Sequence, residues 1–564
     1  MQSRAKTGPE HSDEMPVHAW WPPFGGTSKS RLIAVAVVLV GSLALAGAGI
    51  LAFLDELLGV KAIELPKIET SSINSGLLAL TKTVIIPDNA LEMVAGTASS
   101  IAVDGDHVLI ADRFGRFYAA DIKGRSAVIA RASIDLDTNF RQMLDAAVRV
   151  MGEEKTVGES FFVVGVTDLL IREGGSKLLA AYSHWDDERS CVTVRLSEAD
   201  LSDDQTSLTT PWRLVFETAP CLEPTPPYFG GLQAGGRLAE PRPGVILLTV
   251  GDFSIDGLNA REETSQDPAT SYGKIYEIDL GTGASRVVSI GHRNPQGLAV
   301  DDSGNIWETE HGPQGGDEIN LILEGRNYGW PKVTFGTQYG SDVWPISQTP
   351  GRHDGFEPPV YAWMPSIGIS NLIQIDGFAP PWDGDLLVAS LGGRTLYRLR
   401  MEDGRVVYAE PIKMDYRIRD LGQLADGRIL MWVDRRRLMI LEPERFSNEA
   451  AEVIATLDQD VQNVLARCEE CHRLGPAREN DTRISLWGVH GRALDAGDPA
   501  LKSESLRSAG GTWNTGRLDA FLADPQRVVP GTAMPGAGLD DDRLRARVVR
   551  ALEEMTDTGA APGS

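Results

Sequence analysis

The chain has 564 residues, a formal net charge of −25 and an isoelectric point near 4.8. That length calls for more than one domain, and acid spread along the chain speaks against a nucleic-acid partner. Fifty-nine glycines and thirty-two prolines suit short strands joined by many turns, and the four cysteines divide into Cys191/Cys221 and Cys468/Cys471.

Residues 1–31 are polar and rich in Pro, Gly and Ser, with no period that could bury a face, so they are expected to form a disordered cytoplasmic tail. Residues 32–54 carry no charge over 23 positions. At ~1.5 Å per residue such a helix crosses a hydrocarbon core of roughly 30 Å. Arg4, Lys6, Lys29 and Arg31 precede it and Asp55 and Glu56 follow. The positive-inside rule therefore predicts a single-pass anchor in the bacterial inner membrane, with the bulk of the chain in the periplasm. A cleaved signal peptide is the alternative, with Ala44-Leu45-Ala46 as a cleavage site. Residues 55–75 read as a linker.

From 76 to 445 short β-type runs alternate with turns, and a loose repeat recurs as VDGDHVLIAD at 103–112, VDDSGNIWET at 300–309, DGDLLVAS at 383–390 and ADGRILMWVD at 425–434. Repeated hairpins of this kind predict a β-propeller, whose small sheets bury their faces only against one another. The length admits six, seven or eight blades. Cys191 opens the strand VTVRL and Cys221 follows the strand WRLVFETA. An antiparallel pairing of the two strands would set these cysteines side by side for a disulfide, and two unrelated buried thiols are the other reading.

The richest stretch is Gly291–Trp330, GHRNPQGLAVDDSGNIWETEHGPQGGDEINLILEGRNYGW. Leu298-Ala299-Val300 and Ile306-Trp307 flank Asp302-Ser303-Gly304-Asn305 as strand, turn and strand, carrying polar loops at either end. The motifs GHRNPQG, EHGPQGGDEIN and NYGWP at this spacing resemble the core of the quinoprotein glucose/sorbosone dehydrogenases, six-bladed propellers that use pyrroloquinoline quinone (PQQ) and calcium. The resemblance implies six blades and oxidation of an aldose or another alcohol. It also implies that the carbonyls of Gly312 and Pro313 bind an active-site calcium, and that Arg293 and Asn294 contact the quinone. Arg417 and Arg419 in DYRIRDL match a carboxylate clamp for PQQ, and as i and i+2 on a strand they point to one face. Glu318 and the carbonyl of Tyr328 match a structural calcium site, with Asp317 nearby.

Two positions depart from the family. Its general base is a histidine where GGLQAGGRLAE has Gln233, and an amide cannot take the substrate's proton. A lysine of the family is replaced by Gly392 in ASLGGRTL, and Arg394 or His311 is available to compensate. Residues 468–472 read CEECH, the attachment motif of c-type haem, and give a second reading: a catalytically degenerate propeller that serves as a docking module for an electron-transfer cytochrome c. A calcium-dependent lactonase is a third, disfavoured because a fused cytochrome has no role in hydrolysis.

Beyond Phe446 the pattern turns helical. Val453, Leu457, Val461 and Leu465 fall on one helical face leading into Cys468-Glu469-Glu470-Cys471-His472. CxxCH is the attachment motif for c-type haem, two thiols meeting the vinyl groups and His472 supplying an axial imidazole. A short helix at 516–523 ends ahead of Pro525, and a last one begins at Asp540-Asp541-Asp542 with Leu544, Val548, Leu552 and Met555 as its stripe. With Met534 in a Pro/Gly loop as second iron ligand, residues 447–558 resemble a class I cytochrome c, and His490 is the spare histidine. Haem attachment of this kind takes place outside the cytoplasmic membrane, in agreement with the charge bias around 32–54. The two resemblances together imply a sugar or alcohol as substrate and a downstream electron acceptor for the haem.

Overall fold

The computed structural model describes residues 67–444 apart from 76–77, 89–90, 92–98, 152–164, 224–230 and 342, and residues 453–555 apart from 455, 470–471, 476–483, 497–501 and 535–538. The stretch 32–54 lies outside the described residues; among these, no helix is long and apolar enough to cross a membrane.

Between residues 67 and 443 the strands form six antiparallel sheets, five of four strands and one of five, so the fold is a six-bladed β-propeller. The innermost strands are Ser100–Asp104, Val166–Arg172, Gly235–Arg242, Pro295–Val300, Ile369–Gln374 and Ile418–Gln423. Each lies beside the next around the axis, and the sixth beside the first. The last blade is closed by the N-terminal strand Ala79–Ile86, which pairs with Arg437–Pro443 from the far end of the propeller. Lys67–Asn74 adds an exposed edge to that blade, although its residues read as linker in the sequence. KIETSSIN has too little apolar alternation to announce a strand, and pairing with Ala79–Ile86, with Ser72 donating to Glu444, holds it in place.

The ring is stable because successive side chains of a strand point to opposite faces. In Ile429–Val433, Ile429, Met431 and Val433 pack toward the fifth blade with Leu387, Ala389 and Trp382. Leu430 and Trp432 turn the other way, onto Val108, Ile110 and Tyr118 of the first. A middle strand buried on both faces is therefore apolar at every position, and each such side chain contributes roughly 1.5–3 kcal/mol. The recurring hairpins fall where the sequence repeat sets them: Val300 faces Ile306 across the Asp301–Asn305 turn, whose backbone N–H groups donate to the Asp301 carboxylate. The strands Cys191–Asp200 and Arg213–Glu217 pair antiparallel, and Cys191 is disulfide-bonded to Cys221 with Cα atoms 5.6 Å apart. The helix Phe140–Met151 interrupts the run of strands expected over 76–445 and lays Phe140, Met143 and Ala146 on the core between the second and third blades.

The C-terminal helices are Gln459–Glu469, Glu504–Ser508, Thr515–Ala523, Pro525–Val528 and Asp542–Glu554. Asp541 caps the last by accepting from the N–H groups of Arg543 and Leu544, and Val548, Leu552 and Met555 are buried as the stripe predicts. The first is shorter than its stripe. Asp458 accepts from the Val461 N–H and starts the helix there, so Leu457 lies in the bend before it and Val453 in a separate helical segment ahead of that bend.

Candidate functional site

Gln233 lies just ahead of the inner strand of the third blade with φ 61°. Gly251 makes this possible, because a Cβ there would fall 1.8 Å from the Gln233 carbonyl oxygen. With its amide oriented to satisfy both ends, Gln233 donates to Asp252 Oδ1 (2.6 Å) and accepts from Ser254 Oγ and from Arg293 Nη2 (2.9 Å each). Asp252 is fully buried and also accepts from Trp330 Nε1 (2.6 Å) and from the Ser254 N–H. Burial pushes its carboxyl up to about 7, against the opposing pull of the Arg293 charge.

Arg293 is the hub. Its backbone N–H donates to Glu310 Oε2 (2.6 Å), its guanidinium lies 5.2 Å from the Trp330 ring centre, and Nη1 donates to the carbonyls of His311 (3.1 Å) and Gly312 (3.0 Å). The Gly312 carbonyl, expected to face a calcium ion, thus accepts here from a cation of the protein's own. The loop itself is tight enough for carbonyls to converge: a Cβ on Gly312 would fall 2.1 Å from the Gly315 oxygen. Asn294 beside it accepts from the His311 N–H and from Gln296 Nε2.

Arg417 and Arg419 do share one side, since both hold Asp434, at 3.1 and 2.7 Å. Folding brings more positive charge to them than the sequence suggested. Burial, the Arg419 charge and that of Arg394 all lower the Arg417 guanidinium below its ordinary value, against the pull of Asp434. Burial and Arg419 act likewise on Arg113 of the first blade, against Asp112. His311 feels Arg293, Arg417 and Arg419 together; burial above all, and these three charges with it, lower its imidazole below the ordinary value against the pull of Asp317 at 3.8 Å. Five arginines from four blades thus act on this region, offset in part by Asp434 and Asp112, and such a concentration of guanidinium groups favours an anionic ligand. A cavity of about 40 Å³ on the axis reaches this region, lined by Thr167, Gln296, Ser370 and Arg419 among others. The buried pairs Arg237–Asp168 and Arg237–Asp420 lie beneath it, so Arg237 itself is neutralised.

Glu318 and Tyr328 both line a small space of about 10 Å³ together with Glu310, His353 and Trp330, room for one water-sized species. Burial and the adjacent Glu310 charge raise the Glu318 carboxyl well above its usual range, a cost that a bound cation would remove. The donor set of carboxylates and a carbonyl suits calcium. Asp317 is otherwise engaged, accepting from Ser366 and from the N–H groups of Gly312, Ile367 and Ile369.

In the C-terminal domain Cys468 and Met534 pack at the margin of one apolar core that contains Val464, Leu465, Trp487, Leu518 and Leu552. His472 Nδ1 lies 3.2 Å from the Ile484 carbonyl, which assigns the proton to Nδ1 and the lone pair to Nε2, the state an iron ligand needs. Cys471 lies outside the described residues. His490 is exposed and pairs with Glu553 at 3.5 Å, apart from this core.

A six-bladed propeller with an arginine-lined axial cup, joined to a small helical domain carrying CxxCH, defines a propeller–cytochrome fusion. The family model described as glucose/sorbosone dehydrogenase matches residues 172–442. The aldose sugar dehydrogenase YliI of Escherichia coli is 31% identical over 277 residues, 46% of this chain and 70% of that one. A crystal structure of a glucose dehydrogenase superposes with a TM-score of 0.51 at 26% identity, covering 67% of this chain and 99% of that one. The chain belongs to the glucose/sorbosone dehydrogenase family. It carries in addition a C-terminal cytochrome c domain, similar to the cytochrome c of Stellaria longipes at 30% identity over 90 residues, 16% of this chain and 83% of that one. The chain spans 60–70% of the length of the curated propeller relatives it matches first.

Proposed function

We propose that this protein is a membrane-anchored periplasmic quinoprotein that oxidises an aldose or another alcohol at PQQ and passes the electrons to its own c-type haem. The observation that carries the reading is the convergence of Arg293, Arg417 and Arg419 on His311, with Arg113 and Arg394 close by. An acceptor bearing several carboxylates answers that surplus charge. When bound, PQQ supplies a two-electron acceptor for hydride from the substrate carbon, and calcium polarises it. Arg417 and Arg419 would grip its carboxylates, and Gly312, Pro313 and Asn294 would stand at the loop beside it. Gln233 and Arg293 would orient a substrate hydroxyl, with Asp252 behind them as the ionisable group of this wall. Cys468, Cys471, His472 and Met534 would hold the haem, which takes electrons singly. Glu318 and the Tyr328 carbonyl would hold a structural calcium.

Gln233 gives the docking-module reading its one specific support, because no proton acceptor stands at that position. Calorimetry with PQQ and calcium, followed by haem reduction under a panel of sugars and alcohols, separates the two. Binding with sugar-dependent haem reduction supports the enzyme, and absence of PQQ binding leaves the docking module. Anchoring is tested apart from this: a reporter fused after residue 60 should be active only when exported, and the intact protein should pellet with membranes. Release of a shortened soluble form would make 32–54 a signal peptide.

A further inference from the structure

Below the arginine cup, the fourth blade buries a group of polar side chains that the proposed reaction does not use. The register sets Glu308 opposite Asn320 and Glu310 opposite Glu318, so all four share one face of the sheet. Glu308, Asn320 and His292 are fully buried and Glu310 is 4% exposed. Asn320 Nδ2 donates to Glu308 Oε2 (3.0 Å) and to Glu310 Oε1 (3.3 Å). His292 Nδ1 lies 3.2 Å from that same Glu310 oxygen, while Nε2 is 2.8 Å from Ser289 Oγ and the Tyr328 ring stacks on the imidazole at 4.8 Å. One potential ligand atom from each of His292, Glu308 and Glu310 lies within 4.8 Å of the other two.

Two observations show that this group lacks a member. Glu308 Oε1 and Asn320 Oδ1 are buried with no hydrogen-bond partner. Among the described residues, moreover, no lysine or arginine pairs with Glu308, Glu310 or Glu318; the ion partners are His292 for Glu310 and His353 for Glu318, and Glu308 has none. Buried carboxylates persist when they are paired or bind a metal.

We infer that His292, Glu308 and Glu310 hold a divalent transition-metal cation of the zinc or manganese class. A single ion between the three atoms spans their separations with metal–ligand bonds of about 2.0–2.4 Å. Donation from Nε2–H to Ser289 Oγ leaves the Nδ1 lone pair facing the carboxylates, as a ligating imidazole requires. Imidazole among the donors selects against calcium, which takes oxygen ligands, and separates this site from the position between Glu318 and Tyr328. The ion braces the cup above it, because the second oxygen of Glu310 accepts the Arg293 backbone N–H.

The test is elemental analysis of the full-length protein, dialysed in turn against Zn²⁺, Mn²⁺ and Ca²⁺ and normalised to haem iron. Wild type should retain one equivalent of zinc or manganese after gel filtration. Glu308→Gln, which keeps the side-chain volume, should lose it with an unchanged haem spectrum. Glu318→Gln should keep the transition metal and lose only calcium. Should Glu308→Gln not accumulate, wild type stripped by chelator and reloaded with Mn²⁺ answers the question by electron paramagnetic resonance, with one bound ion per haem expected. Absence of a retained transition metal in wild type overturns the inference. So does loss of the same ion in both variants, which would mean one calcium site serving all the carboxylates.

Discussion

Gln233 donates its side-chain amide to the buried carboxylate of Asp252 at 2.6 Å, at the position where the family resemblance expects a base. An imidazole in that place would find Asp252 already set to orient it and to stabilise its protonated form. The backbone at φ 61° also tolerates histidine better than most residues. General-base assistance contributes about 10²–10⁴-fold, so Gln233→His should raise sugar-dependent haem reduction toward that range. The turnover number of the purified protein checks it. Unchanged turnover in a variant that still binds PQQ would mean that proton removal does not limit the reaction.

Asp252 makes its own prediction. Its carboxyl titrates at about 7 in the fold, against about 3.9 in an unfolded chain. Between those values the folded protein binds a proton that the unfolded chain does not, so stability falls as pH rises from about 4 to about 7 and levels off above. Denaturation midpoints across that range should therefore slope downward in wild type. In Asp252→Asn the slope should be shallower. Identical slopes would place Asp252 in its ionised form throughout.

The parts of this molecule that a reader of the sequence could find are those written locally. Hairpins around Asp301–Asn305, the CxxCH motif and the Arg417/Arg419 pair each lie within about ten residues, and on the strands side-chain alternation tells which face is shared. The cup is only half legible: Arg394 stands out in the sequence only as a substitute for the family's lysine, and no local pattern links Arg113 of the first blade to Arg419. Glu308 and Glu310 did leave a trace, two acids at alternate positions of a strand flanked by apolar residues. Alternation ordinarily puts such acids in water, and only the neighbouring blade shows that this face is buried. At Asp458 a local signal was outweighed: the apolar stripe runs on through it, but its carboxylate caps the helix behind.

Cys191 and Cys221 close a loop of 30 residues at the end of two paired strands. On the chain-entropy model, removing such a crosslink costs about 3–4 kcal/mol. Cys191→Ala/Cys221→Ala should lower the denaturation midpoint of the propeller accordingly, while the haem spectrum is unaffected. Thiol labelling of the denatured, unreduced wild type should find neither cysteine free. Labelling at both would remove the disulfide, and with it this prediction.

Arg417 offers the sharpest test of the cup. Its Nε is committed to Asp434, its side chain is 40% exposed, and its guanidinium is held near Arg419 and Arg394 although like charges repel. An arrangement that costs energy in the absence of a ligand is relieved when an anion arrives, so part of the affinity comes from removing that repulsion. A hydrogen bond to a charged group is worth about 1.5–3 kcal/mol, which makes the expected loss of PQQ affinity in Arg417→Ala about 10- to 100-fold. Arg417→Lys should recover only part of it, since an ammonium keeps the charge but not the planar fork that matches a carboxylate. Raising ionic strength should weaken wild type more than Arg417→Ala, because the variant has less charge to screen. Titration calorimetry with PQQ and calcium at two salt concentrations reads all three effects. PQQ affinity unchanged in Arg417→Ala would show that the quinone's carboxylates are held elsewhere and that this arginine serves only Asp434.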